Sequence, residues 1–192
     1  LHSFPTRRSS DLDIANRLAG EGYNVIAPDM YSRLPHPVTD MAAAYKSMSD
    51  DQVLADLDAA LEFLKSETNH NGKFGIIGFC TGNPIVYSGH SNQMSACVSF
   101  YNQLMTDSQW NHAGNRNPMD SARDIHGAWL GLYGDVDTTI SVEQLQTFEE
   151  KLKAAGKNYQ LEIYADDNVG HGFQNPKGQA YKPAQAKNAW EK

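Results

Sequence analysis

The chain has 192 residues, which is enough for one domain with a substantial hydrophobic core. Its 16 basic and 23 acidic residues give a net charge of −7 and form no basic cluster, which argues against a nucleic-acid partner. No apolar run approaches the ~18 residues of a membrane span. Only two cysteines are present, Cys80 and Cys97, too few for a disulfide framework. A free thiol suits a reducing setting, so we expect a cytoplasmic protein.

The first twelve residues differ from the rest of the chain because they lack apolar periodicity and contain no signal-peptide core. One choice of codons for residues 2–12 spells a common sequencing-adapter oligonucleotide. We therefore expect residues 1–12 to be a non-native, disordered tail, with the native N-terminus and any export signal missing. The alternative is an ordinary disordered terminus.

From residue 13 onward, helical and strand patterns alternate, which predicts an α/β fold. A long, polar, turn-rich segment at 102–125 is expected to overhang the functional site as a lid. The predicted helices are 13–22, 40–48, 50–65, 142–155 and 183–192. The predicted strands are 23–27, 74–77, 96–101, 128–133 and 160–164.

The sequence Gly78-Phe-Cys-Thr-Gly82 directly follows the apolar strand 74–77 and precedes a helical segment. This is the pattern of a nucleophile elbow, with Cys80 where a serine usually sits. Strand and helix nearly touch at such a turn, so a Cβ at either glycine would clash. A cysteine in this strained position at a helix N-terminus favours the reactive thiolate. The alternative is a buried core cysteine, which is our interpretation of Cys97.

A nucleophile also needs a base and a carboxylate that orients the base. Asp137 follows the predicted strand 128–133, and His171 lies in a glycine-flanked loop after 160–164. Each could instead be an ordinary cap or turn residue, and Asp135 is a rival for the acid. The other six histidines show no metal-ligand spacing, so no metal is predicted: His2, His36, His70, His90, His112 and His126.

Four segments resemble the dienelactone hydrolase family of α/β-hydrolases: 17–33, 78–82, 130–142 and 170–173. The resemblance covers 13–192. It implies an α/β-hydrolase domain with a mostly parallel sheet and helices on both faces, incomplete at both ends. It also implies that Cys80 is the nucleophile, Asp137 the acid and His171 the base. The backbone N–H of Thr81 would be one oxyanion donor, and the second donor is expected in the missing upstream segment.

The family holds a substrate carboxylate with arginines, and Arg33 matches one of them. Asn175 stands near the place of another, which favours neutral substrates. Tyr31, Phe79 and Phe173 are further candidates for substrate contact.

The predicted function is hydrolysis of small carboxylic esters or lactones through a thioester acyl-enzyme. No cofactor is implied. The alternatives are an acyltransferase or thioesterase with the same triad, or an inactive binding module. The oligomeric state is left open, with a monomer favoured.

Overall fold

The computed structural model describes residues 9–35, 38–67, 69–105, 116–165 and 168–192. The chain divides into two compact units, residues 1–72 with 110–115, and residues 73–109 with 116–192. The expected tail up to residue 8 and the central part of the predicted lid, 106–115, lie outside the described residues.

The first unit contains three helices: α1 (Ser9–Gly20), α2 (Met41–Ser47) and α3 (Asp50–Ser66). The helix α1 begins four residues before the predicted start, so residues 9–12 are helical rather than disordered. Ser49 is the N-cap of α3, and its hydroxyl accepts a hydrogen bond from the Gln52 N–H at 3.3 Å. One face of α3 is buried at Val53, Leu54, Ala60 and Leu61.

The predicted strand 23–27 is wrong, because these residues have no regular secondary structure. A strand needs a neighbour for its backbone N–H and C=O groups, and an apolar pattern cannot supply one. Within the described part of the first unit, no strand is present.

The second unit is built on a four-stranded parallel sheet in the order β1-β2-β3-β4. Its strands lie where the sequence pattern predicts them. None of the helices in the described parts of the chain is long and apolar enough to cross a membrane. The strands are β1 (Phe74–Phe79), β2 (Met94–Phe100), β3 (Ala128–Gly134) and β4 (Tyr159–Tyr164). The helices are α4 (Asn83–His90), α5 (Pro118–Ser121), a 3₁₀ turn (Ala122–Asp124), α6 (Val142–Ala154) and α7 (Pro183–Trp190).

Helices cover both faces of this sheet. Cys97 and Trp129 are paired in register and share one face. There, the Cys97 sulfur lies 3.6 Å from the carbonyl of Pro84 in α4, and the Trp129 ring packs edge-on against Phe148 in α6. The side chain of Tyr164 lies on the other face, where its hydroxyl donates a hydrogen bond to α7. The predicted parallel sheet with helices on both faces is therefore confirmed.

The described parts of the predicted lid are packed into the core of the second unit. Leu104, Met119 and Ile125 are almost fully buried, and the Met119 N–H donates to the Leu104 carbonyl at 2.9 Å. The prediction of an overhanging lid is wrong for 102–105 and 116–125. Apolar side chains spaced among the polar residues of this segment anchor it to the core.

Candidate active site

The turn between β1 and α4 has the geometry of a nucleophile elbow. Cys80 has φ of 70°, a left-handed value that is rare for a non-glycine residue, and its side chain is exposed. A Cβ on Gly78 would overlap the ring of Pro84 in α4, as predicted. A Cβ on Gly82 would overlap the ring of Pro118 in α5 and lie 2.7 Å from the Gln103 carbonyl oxygen, so its close neighbours follow β2 and do not belong to β1.

Three hydrogen bonds tie the elbow to the end of β2 and the residues that follow it. The Cys80 N–H donates to the carbonyl of Phe100 at 3.2 Å. The Gln103 N–H donates to the Cys80 carbonyl at 2.7 Å. The Asn102 amide nitrogen donates to the Thr81 carbonyl at 2.5 Å. The strained turn is thus held by its neighbours on three successive peptide groups.

The Thr81 N–H, predicted to be an oxyanion donor, has a partner of its own in this structure. It donates to the carbonyl of Phe79 at 2.9 Å, across Cys80. A substrate oxygen would therefore compete with the Phe79 carbonyl for this N–H.

The carboxylate of Asp137 is the one that contacts His171. Its side chain is fully buried, and its Oδ2 lies 2.8 Å from the His171 Nδ1. Its Oδ1 accepts hydrogen bonds from the N–H groups of Thr139 at 2.7 Å and Ile140 at 3.1 Å. Both oxygens are therefore engaged, which fixes the orientation of the carboxylate toward the imidazole.

Asp135, the rival acid, has a different partner. Its carboxylate accepts a hydrogen bond from the Val169 N–H at 3.2 Å, in the loop that carries His171. The Val136 N–H donates to the Val169 carbonyl in turn. A Cβ on Gly134 would lie 2.5 Å from the Val169 carbonyl carbon, so the two loops are in direct contact. Asp135 thus braces the loop and does not contact the imidazole.

His171 contacts the Asp137 carboxylate through its Nδ1 at 2.8 Å, and the Cys80 side chain is close enough to influence its pKa. Partial burial disfavours its charged form, but the hydrogen bonds and negative charges of Asp137 and Cys80 outweigh burial and raise the pKa of His171 to about 9. The imidazolium is therefore the favoured form at neutral pH. The structure thus brings the three predicted residues together, with His171 between Cys80 and Asp137.

Tyr101 is a residue of this site that sequence analysis missed. Its φ is 42°, and its buried ring packs edge-on against the His171 ring with centroids 4.9 Å apart. Burial raises the pKa of its hydroxyl, as do the charges of Cys80 and Asp137. In the sequence it is merely the last aromatic residue of a strand pattern, and nothing there signals the positive φ.

The substrate-contact candidates in the second unit differ in exposure. Phe79 is half-buried and stacks on Phe100 at 4.9 Å. Phe173 has no exposed surface and packs against Tyr101 and Tyr164. Its ring therefore supports the loop that carries His171 and is not accessible to a substrate. This burial contradicts the prediction of substrate contact for Phe173.

The remaining candidates make local contacts. In the first unit, the Arg33 guanidinium pairs with both carboxylate oxygens of Asp56, and the Tyr31 N–H donates to Asp29 at 3.0 Å. In the second unit, the Asn175 side chain accepts a hydrogen bond from the Lys177 N–H at 3.0 Å. Arg33 is thus engaged by a carboxylate of the protein itself, and Asn175 stabilises a turn.

No group of three or more His, Cys, Asp or Glu side chains is placed to hold a metal ion within the ranges that the structure describes. His70 accepts a hydrogen bond from the Gly72 N–H at 3.2 Å, and the His90 ring lies 6.1 Å from that of Tyr87. These contacts are those of structural side chains.

A parallel sheet covered by helices on both faces, with a cysteine on the sharp turn between a strand and a helix, defines the α/β-hydrolase fold. A crystal structure of a Klebsiella pneumoniae protein named as a dienelactone hydrolase superposes with a TM-score of 0.83 and 31% identity, over 93% of this chain and 76% of that one. The model of the dienelactone hydrolase family matches residues 6–192, and the chain belongs to that family. The match begins inside the segment expected to be a tail.

Two curated relatives indicate the chemistry of the family. A Salmonella typhimurium protein named as a carboxymethylenebutenolidase is 35% identical over 94% of this chain and 68% of its own length. A Bradyrhizobium protein named as a 2-oxo-3-(5-oxofuran-2-ylidene)propanoate lactonase is 29% identical over 93% of this chain and 73% of its own length. The chain is therefore a hydrolase that acts on ester bonds.

Proposed function

We propose that the protein hydrolyses carboxylic esters or lactones with Cys80 as nucleophile, His171 as acid and base, and Asp137 as the group that orients His171. The observation that carries this proposal is the chain formed by the exposed Cys80 thiol, the His171 imidazole whose pKa it helps to raise, and the buried Asp137 carboxylate 2.8 Å from that imidazole. Such a chain is the arrangement that activates a nucleophile in acyl transfer.

In the acylation step, the Cys80 thiolate attacks the carbonyl carbon and a C–S bond forms. The carbonyl electrons move to the oxygen, which accepts a hydrogen bond from the Thr81 N–H in competition with the Phe79 carbonyl, and this hydrogen bond stabilises the negative charge. The His171 imidazolium then donates its proton to the departing alkoxide oxygen as the C–O bond breaks. The product is a thioester on Cys80 and a free alcohol, or a single ring-opened chain for a lactone.

In the deacylation step, neutral His171 takes a proton from a water molecule, whose oxygen attacks the thioester carbonyl. The C–S bond breaks, and the electron pair returns to sulfur. The carboxylic acid leaves, and the thiolate–imidazolium pair is restored. Asp137 keeps its negative charge throughout and stabilises the imidazolium.

The nucleophile favours reactive substrates. A thiolate is itself a good leaving group, so its tetrahedral adduct collapses backwards unless the substrate's leaving group departs readily. Activated esters, enol lactones and thioesters meet that condition, and amides do not. The lactone names of the relatives agree with this class.

Neutral substrates are favoured over anionic ones. The charge of Arg33 is paired with Asp56, and Asn175 carries no charge. A substrate carboxylate therefore finds no free partner in either of these two residues. We expect a higher kcat/KM for a neutral aryl lactone than for dienelactone, which carries a carboxylate.

The test is a panel of p-nitrophenyl esters, a neutral lactone, a thioester and dienelactone, assayed with the wild type and two cysteine variants. Cys80→Ala should abolish hydrolysis, whereas Cys97→Ala should retain it, since the Cys97 thiol is buried and burial raises its pKa to about 11. Iodoacetamide should modify Cys80 well before Cys97. An active Cys80→Ala variant contradicts the proposal, and acyl transfer to added alcohol faster than to water would make the protein a transferase.

A further inference from the structure

Three consecutive residues after β2 contact both the nucleophile and the base. The Tyr101 ring packs on His171, the Asn102 side chain donates to the Thr81 carbonyl, and the Gln103 N–H donates to the Cys80 carbonyl. Among the described residues, this segment therefore contacts both the elbow and the base. Only one of these three contacts, that of Asn102, is a side-chain hydrogen bond to the elbow.

The buried side chain of Asn102 is unfavourable for stability if its only role is to fill space in the core. It has no exposed surface, and its Oδ1 finds no hydrogen-bond donor among the described residues. Its own carbonyl accepts a hydrogen bond from the Tyr133 hydroxyl at 3.1 Å, so its backbone is held in place. A buried amide oxygen without a donor is destabilising, and so is the positive φ of the preceding Tyr101. Two unfavourable features in succession next to an active site indicate a functional constraint.

We infer that Asn102 is a positioning residue for the nucleophile, an inference that rests on the proposed function. The Thr81 carbonyl belongs to the second peptide group after Cys80, and the Cys80 carbonyl belongs to the first. With Gln103 on the first group and Asn102 on the second, both peptide planes are fixed. Because Thr81 supplies the N–H of the first group and the carbonyl of the second, both the Cys80 backbone and the Thr81 N–H are held in place. Asn102 acts through Cys80 and Thr81 and touches no substrate.

The first test replaces the amide by an apolar group of similar volume. Asn102→Leu should lower kcat for p-nitrophenyl acetate by about 10²-fold, the effect of misplacing a reacting group by about 1 Å, while KM changes less than about threefold. The matched control is Ser99→Ala, which removes a fully buried hydroxyl that accepts a hydrogen bond from the Trp129 indole at 3.0 Å on the same sheet. The control should lower the melting temperature similarly and leave kcat within about twofold.

The second test uses a signature that a purely structural role lacks. The carboxyl of Asn102→Asp can donate to the Thr81 carbonyl only when it is protonated. The ratio of kcat for Asn102→Asp to kcat for Asn102→Leu should therefore rise as the pH falls through the pKa of the new carboxyl. A ratio that does not change with pH would overturn the inference.

The outcomes separate the inference from the proposed function. If hydrolysis by the wild type does not depend on Cys80, the proposed function fails. If hydrolysis depends on Cys80 but Asn102→Leu keeps its kcat, or loses no more than Ser99→Ala, only the role of Asn102 is overturned. Should Asn102→Leu not fold, Tyr133→Phe frees the Asn102 backbone with little change in volume. A severalfold lower kcat in that variant supports the role, and an unchanged kcat overturns it.

Discussion

The two halves of the proposed triad are held in place in different ways. On the nucleophile side, hydrogen bonds hold a turn that is itself strained and tightly packed: Cys80 has φ of 70° and Gly78 lies against α4. On the acid–base side, hydrogen bonds set the geometry: Asp137 is fully buried, with two backbone donors and His171 around its carboxylate. The exposed thiol can meet a substrate, whereas the buried carboxylate is shielded from water and contacts only its hydrogen-bond partners.

The difference teaches which changes each half tolerates. The elbow is sensitive to added volume, since a single methyl group would overlap its neighbours. The acid side is sensitive to charge and to hydrogen-bond donors and acceptors. The buried Asp137 carboxylate cannot replace a lost hydrogen bond by one to water. Substitutions that change one property and keep the other can therefore break one half and spare the other.

The largest expected effect comes from Asp137→Asn, which keeps the shape of the acid and removes its charge. The variant should lose about 10⁴-fold in kcat, because an amide favours the wrong imidazole tautomer and does not stabilise the imidazolium. The matched control is Asp135→Asn, whose carboxylate accepts a hydrogen bond from Val169 rather than from the imidazole. Its kcat should fall by no more than about tenfold. Steady-state kinetics on one ester checks both, and equal losses would show that the acid is wrongly assigned.

The second effect marks the limit of this contrast, because one position on the acid side, Gly134, is also sensitive to added volume. Gly134→Ala should destabilise the protein by about 3 kcal/mol, because its Cβ would lie 2.5 Å from the Val169 carbonyl carbon, and backbone cannot swing away as a side chain can. Gly170→Ala is the control in the same region, since its Cβ would meet nothing within 4 Å. Its unfolding free energy should stay within about 0.5 kcal/mol of the wild type. Urea unfolding of both variants decides, and a stable Gly134→Ala would mean that the two loops separate readily.

The sequence predicts the elbow better than it predicts the support for the elbow. The two glycines around Cys80 form a local pattern that predicts a tight turn. Cys80, Asp137 and His171 each follow a strand of a parallel sheet, and the carboxyl ends of these strands lie at one edge of the sheet. The contacts of Asn102 with Thr81 and of Tyr101 with His171 join segments that are distant in the chain, so no local sequence pattern predicts them. The prediction of a strand at 23–27 is wrong for the same reason, because a strand also needs a neighbouring strand that no local pattern can show.

The third effect is a pH dependence of stability from His171. Its pKa is raised from 6.5 to about 9 in the folded state, so folding favours the protonated form. This stabilisation is complete below the unfolded pKa and is lost as the pH rises through the folded pKa of about 9. The unfolding free energy should thus fall by about 3 kcal/mol between pH 6 and pH 10. Urea unfolding of wild type and His171→Gln at several pH values tests this, and parallel curves for the two proteins would exclude His171 as the source.

The smallest effect is expected outside both halves, at Arg33 in the first unit. Its guanidinium is half exposed and paired with Asp56, and exposed ion pairs contribute little to stability. If Arg33 has no role in binding substrate carboxylates, Arg33→Ala should leave the ratio of kcat/KM for a neutral lactone to kcat/KM for dienelactone within about twofold of the wild type. Asp56→Asn is the complementary variant, because it frees the guanidinium and keeps the residue. A guanidinium that reaches the substrate would make Asp56→Asn prefer dienelactone more strongly than the wild type does. Were Arg33→Ala to lose dienelactone hydrolysis selectively, the pairing with Asp56 would be a resting contact that the anionic substrate displaces, and the expected preference for neutral substrates would be wrong.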